Sequence, residues 1–120
     1  IIEGTKNWEI DKRLPKKASD TVLQKQRYSA FHGTILDTVL QENKITTLII
    51  CGVMTNVCCD TTAREAFCRD YRPVIVSDAT NASSLAMHHA AILNLGHAFA
   101  YIVSAGEVEK GLSTVRPRKK

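Results

Sequence analysis

The sequence predicts an α/β fold of three layers, α/β/α, in which a mostly parallel, Rossmann-like sheet lies between helices. Short apolar runs typical of strands alternate with longer segments whose apolar residues recur at helical spacing. The links between these segments are short, and elements that alternate in this way form parallel strands with helices on both faces. A length of 120 residues with 44% hydrophobic residues suits one compact domain.

The first elements are two strands separated by a helix. Val22 and Leu23 open a short predicted strand that ends near Lys25. A stripe of apolar residues at helical spacing then predicts a helix, and the stripe consists of Ile35, Leu36, Val39 and Leu40. Residues 47–51 form a near-continuous apolar run, which is typical of a strand buried on both faces of a parallel sheet.

Two further strands and three helices complete the predicted fold. After residue 58 a helix should pack on the sheet, and the residues that share its packed face are Cys59, Ala63, Ala66 and Phe67. On another face of this helix Asp60 and Arg64 are spaced to pair across one turn. A strand at residues 74–76 precedes a helix that starts near Ser84 and ends at Gly96, a residue suited to the left-handed position past a helix end. A strand at residues 99–103 and a helix at residues 105–112 follow.

Charge and composition narrow the classes of function. The formal net charge of +4 is matched by the basic residues of the C-terminal end, which are Arg116, Arg118, Lys119 and Lys120. We therefore predict one domain over residues 1–112 and a basic, disordered tail over residues 113–120, with no nucleic-acid partner. No apolar stretch approaches the ~20 residues that span a bilayer and no signal peptide is recognisable, so we expect a cytoplasmic protein without a membrane partner.

The cysteines and histidines do not form a metal-binding pattern. The four cysteines lie within residues 51–68, and their spacing matches neither paired zinc ligands nor the disulfide framework of a secreted protein. The histidines are scattered, and the adjacent pair His88 and His89 would point to different sides of a helix. We therefore expect reduced thiols, no metal site and no cofactor.

A candidate nucleophile lies where the strand at residues 47–51 turns into the next helix. Cys58 closes that turn, and a helix N-terminus offers N–H groups and partial positive charge that favour a thiolate and can hold an oxyanion. Lys25 is predicted at the carboxyl end of another strand, so we expect its amine within a few ångströms of the Cys58 sulfur. The alternatives are a buried, inert cysteine and a solvated lysine. We interpret Asp78 as a helix-capping or turn residue.

Two runs resemble the signatures of the isochorismatase-like cysteine hydrolases. The first is KQRYSAF at residues 25–31, and the second is GVMTNVC at residues 52–58 followed by TTAREA at residues 61–66. The resemblance extends over about residues 4–107 and is greatest to the nicotinamidase-like amidase branch. It implies a domain with the α/β fold predicted above.

The resemblance also implies a mechanism and a set of site residues. Family members hydrolyse small amides through a covalent acyl-enzyme, with a triad of aspartate, lysine and cysteine. Here Cys58 would be the nucleophile and Lys25 the triad lysine. A cis peptide between Val53 and Met54 is implied, with an oxyanion hole formed by the backbone N–H groups of Met54 and Cys58. The residues expected to bind substrate are Phe31, Trp8, Thr55 and Asn56.

The segment before Lys25 departs from the family pattern. Relatives begin with an apolar strand that ends in the catalytic aspartate, usually within a D-x-Q run, whereas Asp11 and Asp20 lie in polar, loop-like sequence. We therefore expect a partial domain, truncated at the N-terminus without its first strand, in which hydrolysis is slow or absent. The sheet edge should then be covered in a homo-oligomer or by a chain that supplies the missing segment.

The resemblance narrows the substrate to a small, non-peptide amide. Isochorismatases proper generally lack the cysteine, so Cys58 favours cleavage of C–N bonds. The double cysteine in TNVCCDTTAREAF is most similar to the nicotinamidase-like branch, while TNVC also resembles hydrolases of ureides and carbamoyl amides. The alternative is a catalytically inactive family member that acts as a binding or assembly subunit. Nicotinamidases commonly bind a metal through aspartate and histidines of their N-terminal region. Because that region is expected to be missing, the resemblance gives no basis for a metal here.

Overall fold

The computed structural model describes residues 3–6 and 9–115 of the chain. Its elements in chain order are α1 (Leu36–Glu42), β1 (Thr47–Val53), a π-helical turn called the π-turn below (Thr55–Cys59), α2 (Asp60–Cys68), β2 (Arg72–Asn81), α3 (Leu85–Ala98), β3 (Tyr101–Val103) and α4 (Ala105–Thr114). None of the helices in these ranges is long and apolar enough to cross a membrane.

The described strands form one parallel sheet in the order β1, β2, β3. Ile50, Ile75 and Ile102 are register partners, so their side chains lie side by side on one face of the sheet. Helix α2 contributes Ala63 and helix α3 contributes Leu95 to the hydrophobic cluster on that face. The prediction of an α/β fold with a parallel sheet and packed helices is confirmed.

The opposite face of the sheet is only partly covered by described residues. Ile49, Val74 and Tyr101 are register partners on this face, and 48% of Ile49 and 67% of Tyr101 are exposed. Helix α4 packs against β2, where Val76 is buried. The prediction that β1 is buried on both faces is therefore wrong, because no described element packs over Ile49.

A second hydrophobic cluster joins α1 and α2 to the chain that precedes them. Its buried members are Phe31, Leu40, Ala66 and Tyr71. The rings of Phe31 and Tyr71 stack with centroids 5.8 Å apart, and the Tyr71 hydroxyl donates to Asp37 of α1 at 2.7 Å. This cluster fixes the end of the segment that carries Lys25.

The predicted strand near Lys25 and the predicted C-terminal tail differ from the observed structure. Residues 22–25 form no strand, because Val22 and Leu23 line a cavity instead of pairing with the sheet. The predicted tail at residues 113–120 begins too early, since α4 continues to Thr114; residues 116–120 lie outside the described residues.

Gly96 does not end helix α3, as its sequence position predicted. The helix continues to Ala98, and a Cβ on Gly96 would lie 2.9 Å from Cγ1 of Ile102 in β3. The absence of a side chain therefore allows α3 to pack closely against β3. This reason depends on a residue of another element, so the local pattern could not reveal it.

Gly96→Ala is expected to lower the free energy of unfolding by about 1 kcal/mol, because the overpacking penalty exceeds the gain in helix propensity. Gly111→Ala in α4 is the matched control, since nothing lies within 4 Å of the added Cβ. That variant should be stabilised by up to about 1 kcal/mol. Urea unfolding of both variants measures the difference, and equal stabilisation of the two would contradict the close packing of α3 on β3.

Candidate active site

The turn after β1 has an unusual backbone, and Cys58 lies in it shortly before α2. Gly52 has a φ of +115°, a region that residues with a side chain rarely adopt. The peptide between Val53 and Met54 is cis, as predicted. The Met54 carbonyl accepts hydrogen bonds from the N–H groups of Val57 and Cys59, and the chain enters the π-turn. The sequence indicated a helix after this turn but gave no sign of its π-helical first residues.

Lys25 and Cys58 lie in contact, although 33 positions separate them in the chain. The Lys25 Nζ donates to Cys58 Sγ at 3.4 Å and to the carbonyl of Arg27 at 3.0 Å. The sulfur is partly accessible, and both side chains line a cavity of about 1320 Å³ that is walled mainly by residues 9–16 and 22–28. The predicted proximity of the amine and the sulfur is confirmed. The Lys25 amine can therefore hydrogen-bond the sulfur or a group that reacts with it.

The neighbouring thiol of Cys59 has the opposite environment. Its side chain is buried, and burial raises the pKa of Cys59 to about 11, with smaller contributions in the same direction from Cys58 and Cys51. Lys25 acts against this rise. Of the two adjacent cysteines, Cys58 therefore has the accessible sulfur, and Cys59 packs beneath the helix as a protonated thiol.

Three of the predicted substrate-binding residues, Phe31, Thr55 and Asn56, are not among the residues that line the cavity. Phe31 is 4% exposed and lies in the hydrophobic cluster against Tyr71, and Thr55 is fully buried. The side-chain oxygen of Asn56 is buried without a hydrogen-bond partner among the described residues. Trp8 lies outside the described residues. Substrate contact by these four residues stays a prediction, and the positions of Phe31 and Thr55 do not favour it.

The aspartates before Lys25 are engaged with their own loop. Asp11 lines the cavity, but both of its oxygens accept from the Arg13 guanidinium, which lowers the pKa of that carboxyl. Asp20 accepts from the backbone N–H of Lys17 at 2.8 Å. Neither carboxylate is therefore arranged to take the Cys58 proton.

Two polar contacts at the ends of elements complete the surroundings of the site. Asp78 accepts from the backbone N–H of Ala105 at 2.8 Å and so caps α4, which confirms the interpretation of Asp78 as a capping residue. Thr55 Oγ1 lies 2.9 Å from Nδ1 of His88 in α3. The sequence interpretation assigned no role to His88, because only the fold brings α3 to the π-turn.

The fold and the site define a class of α/β proteins in which a lysine contacts a cysteine at the turn that follows a parallel strand. The chain belongs to the Isochorismatase domain family, whose sequence profile matches residues 1–107. The resemblance of the two sequence signatures to this family is thereby confirmed.

Individual relatives have similar sequences and structures. Nicotinamidase 3 from Arabidopsis thaliana is 37% identical over 114 residues, which are 93% of this chain and 58% of that protein. Ureidoacrylate amidohydrolase RutB from Methylobacterium radiotolerans is 33% identical over 113 residues, which are 93% of this chain and 44% of that protein. The crystal structure of an isochorismatase-like hydrolase from Alkaliphilus metalliredigens matches with a TM-score of 0.89 and 28% identity, over 93% of this chain and 62% of that one. The chain spans about half the length of the curated relatives that it matches.

Proposed function

We propose that the protein hydrolyses the C–N bond of small, non-peptide amides, with Cys58 as the nucleophile. The thiolate attacks the amide carbon, the C–N bond breaks, and the nitrogen takes up a proton and leaves as ammonia or an amine. Water then attacks the resulting thioester, the C–S bond breaks, and the carboxylic acid leaves while the thiolate is restored. The N–H groups of Met54 and Cys58 would hold the oxyanion in both steps.

The contact between Lys25 Nζ and Cys58 Sγ carries this proposal. It pairs a partly accessible sulfur with an ammonium group at the wall of a cavity, an arrangement that suits a cysteine nucleophile once a proton acceptor is supplied. The names of the relatives from Arabidopsis and Methylobacterium, a nicotinamidase and a ureidoacrylate amidohydrolase, support an amide as the substrate. Nicotinamide is the first substrate to test, and a ureide is the second.

The expected rate of hydrolysis is limited by the need for a proton acceptor. The thiol proton must be removed before attack and water must be activated afterwards, and a positioned carboxylate commonly serves both steps. Asp11 and Asp20 are engaged with Arg13 and the Lys17 N–H, so neither provides this group. We propose that a carboxylate from another segment or another chain completes the site, and that turnover without it is slow.

Ammonia release from nicotinamide and from ureidoacrylate tests the proposed function. We expect release that is at least stoichiometric with the protein and that Cys58→Ala abolishes. Cys68→Ala is the matched control, because Cys68 is a free, exposed cysteine at the end of α2, and this variant should release ammonia as the wild-type protein does. Equal release by the Cys58→Ala and wild-type proteins would show that Cys58 is not the nucleophile.

The engaged state of Asp11 and Asp20 favours one second candidate, a catalytically inactive binding or assembly subunit. Such a protein would bind an amide in the cavity and release no ammonia from it. Calorimetric titration with the two amides, run beside the ammonia assay, separates this candidate from the hydrolase.

A further inference from the structure

One polar contact joins helix α3 to the turn that carries the proposed nucleophile. Thr55 Oγ1 and His88 Nδ1 share a hydrogen bond of 2.9 Å, in which the ring nitrogen donates or accepts according to the tautomer of the imidazole. Thr55 is fully buried and His88 is half-buried. His88 thus holds the first residue of the π-turn from a different element of the fold.

Thr55 lies within the backbone that presents the two proposed oxyanion donors. Met54 directly precedes Thr55, and Cys58 follows it three positions later. The Met54 carbonyl is held from inside the turn by the N–H groups of Val57 and Cys59, whereas the Thr55 side chain is held from outside by His88. Loss of the imidazole would leave a buried hydroxyl unpaired and favour movement of Thr55 toward another partner or water.

We propose that His88 is a positioning residue for the oxyanion hole and acts through Thr55. The proposal rests on the proposed function, because it requires the N–H groups of Met54 and Cys58 to hold an oxyanion. His88 is not among the residues that line the cavity, so its effect passes through the backbone. A displacement of about 1 Å in a site group can lower a rate on the order of 10²-fold, and this sets the scale of the expected effect.

Two reactions of Cys58 separate positioning of the oxyanion hole from general loosening of the site. Acylation by p-nitrophenyl acetate passes through an oxyanion: the thiolate attacks the ester carbon, the C–O bond breaks, and p-nitrophenolate leaves. Alkylation by iodoacetamide forms no oxyanion, because the thiolate displaces iodide from a saturated carbon. A positioning residue should therefore affect the first reaction and not the second.

We expect His88→Ala to slow the burst of p-nitrophenolate about 10- to 100-fold and to leave the rate constant of alkylation unchanged. His88→Asn should restore most of the burst rate, because asparagine carries a polar atom the same number of bonds from Cα as Nδ1. Thr55→Val should slow the burst as His88→Ala does, and the double variant should be no slower. His97→Ala, which removes an exposed histidine of α3, is the matched control and should leave both reactions unchanged.

The outcomes distinguish this inference from the proposed function. If the wild-type and Cys58→Ala proteins release p-nitrophenolate at the same rate, the proposed function fails and the role of His88 fails with it. If a burst that depends on Cys58 persists at full rate in His88→Ala, only the role of His88 is overturned. Equal slowing of acylation and alkylation in His88→Ala, or no recovery in His88→Asn, would also overturn it in favour of a structural role.

Discussion

Lys25→Gln is expected to slow both alkylation and acylation of Cys58, by on the order of 10²-fold. The Lys25 Nζ lies 3.4 Å from the sulfur and is the charged group in contact with it in the described structure. Glutamine keeps most of the length and the hydrogen-bonding capacity of lysine but removes the charge. The Lys25 ammonium donates to the sulfur that is the proposed nucleophile of both reactions, so its loss should slow both to a similar extent. Residue-resolved mass spectrometry after timed addition of iodoacetamide measures the alkylation of each cysteine.

A control variant and a control residue make the Lys25→Gln result specific. Lys110→Gln removes an exposed lysine of α4 and should leave the reactivity of Cys58 unchanged. Cys59 should take up little label at pH 8 in every variant, because burial raises its pKa to about 11 and it stays protonated. Labelling of Cys58 at the wild-type rate in Lys25→Gln would contradict the role of the lysine. Rapid labelling of Cys59 in that variant would instead show that the π-turn has opened.

This pattern of effects differs from the one expected for His88. Under the proposed function Lys25 acts on the sulfur itself, so both reactions should respond. His88 is proposed to act on the backbone that would hold the oxyanion, so only acylation should respond. The two variants together therefore divide the site into a part that prepares the nucleophile and a part that stabilises the developing charge. Both parts can be measured in single-turnover reactions, because these do not include the later activation of water.

Features that one segment determines alone were predicted from the sequence. The stripe that contains Leu36 and Leu40 forms α1, and the apolar run that begins at Thr47 forms β1. The Asp60 and Arg64 side chains pair at 3.0 Å within α2, as their spacing predicted. The contact of Lys25 with Cys58 was expected from both signatures, because each signature supplies one of the two residues.

Apart from the contact of Lys25 with Cys58, features that depend on two distant segments were missed or predicted wrongly. Gly96 suited a helix end by its type, but its position is explained by Ile102 of the next strand. The pairing of His88 with Thr55 joins residues 33 positions apart, and no local pattern marks it. The burial of Ile49 depends on whether another element covers that face of the sheet. In each case the missing information was the identity of the neighbour, which a periodic pattern does not contain.

The site depends on the same hydrophobic cluster that joins the helices to the sheet. Helix α2 begins directly after Cys59, and its residue Ala63 packs with Ile75 of β2 and Leu95 of α3. Helix α3 also carries His88 to the π-turn. Loss of packing in this cluster should therefore affect the proposed oxyanion donors as well as the stability of the fold.

Leu95→Ala is expected to lower the free energy of unfolding by about 2–5 kcal/mol, because it leaves a cavity among fully buried neighbours. A loss of this size is a large part of the roughly 5–15 kcal/mol that stabilises a typical domain. Leu93→Ala is the matched control on the same helix, since Leu93 is 77% exposed and the change in helix propensity is the same. Urea unfolding should show a large decrease in the midpoint for Leu95→Ala and almost no decrease for Leu93→Ala. Equal shifts in the two variants would contradict the placement of Leu95 at the centre of the packed cluster, and with it the support that α2 and α3 give to the π-turn.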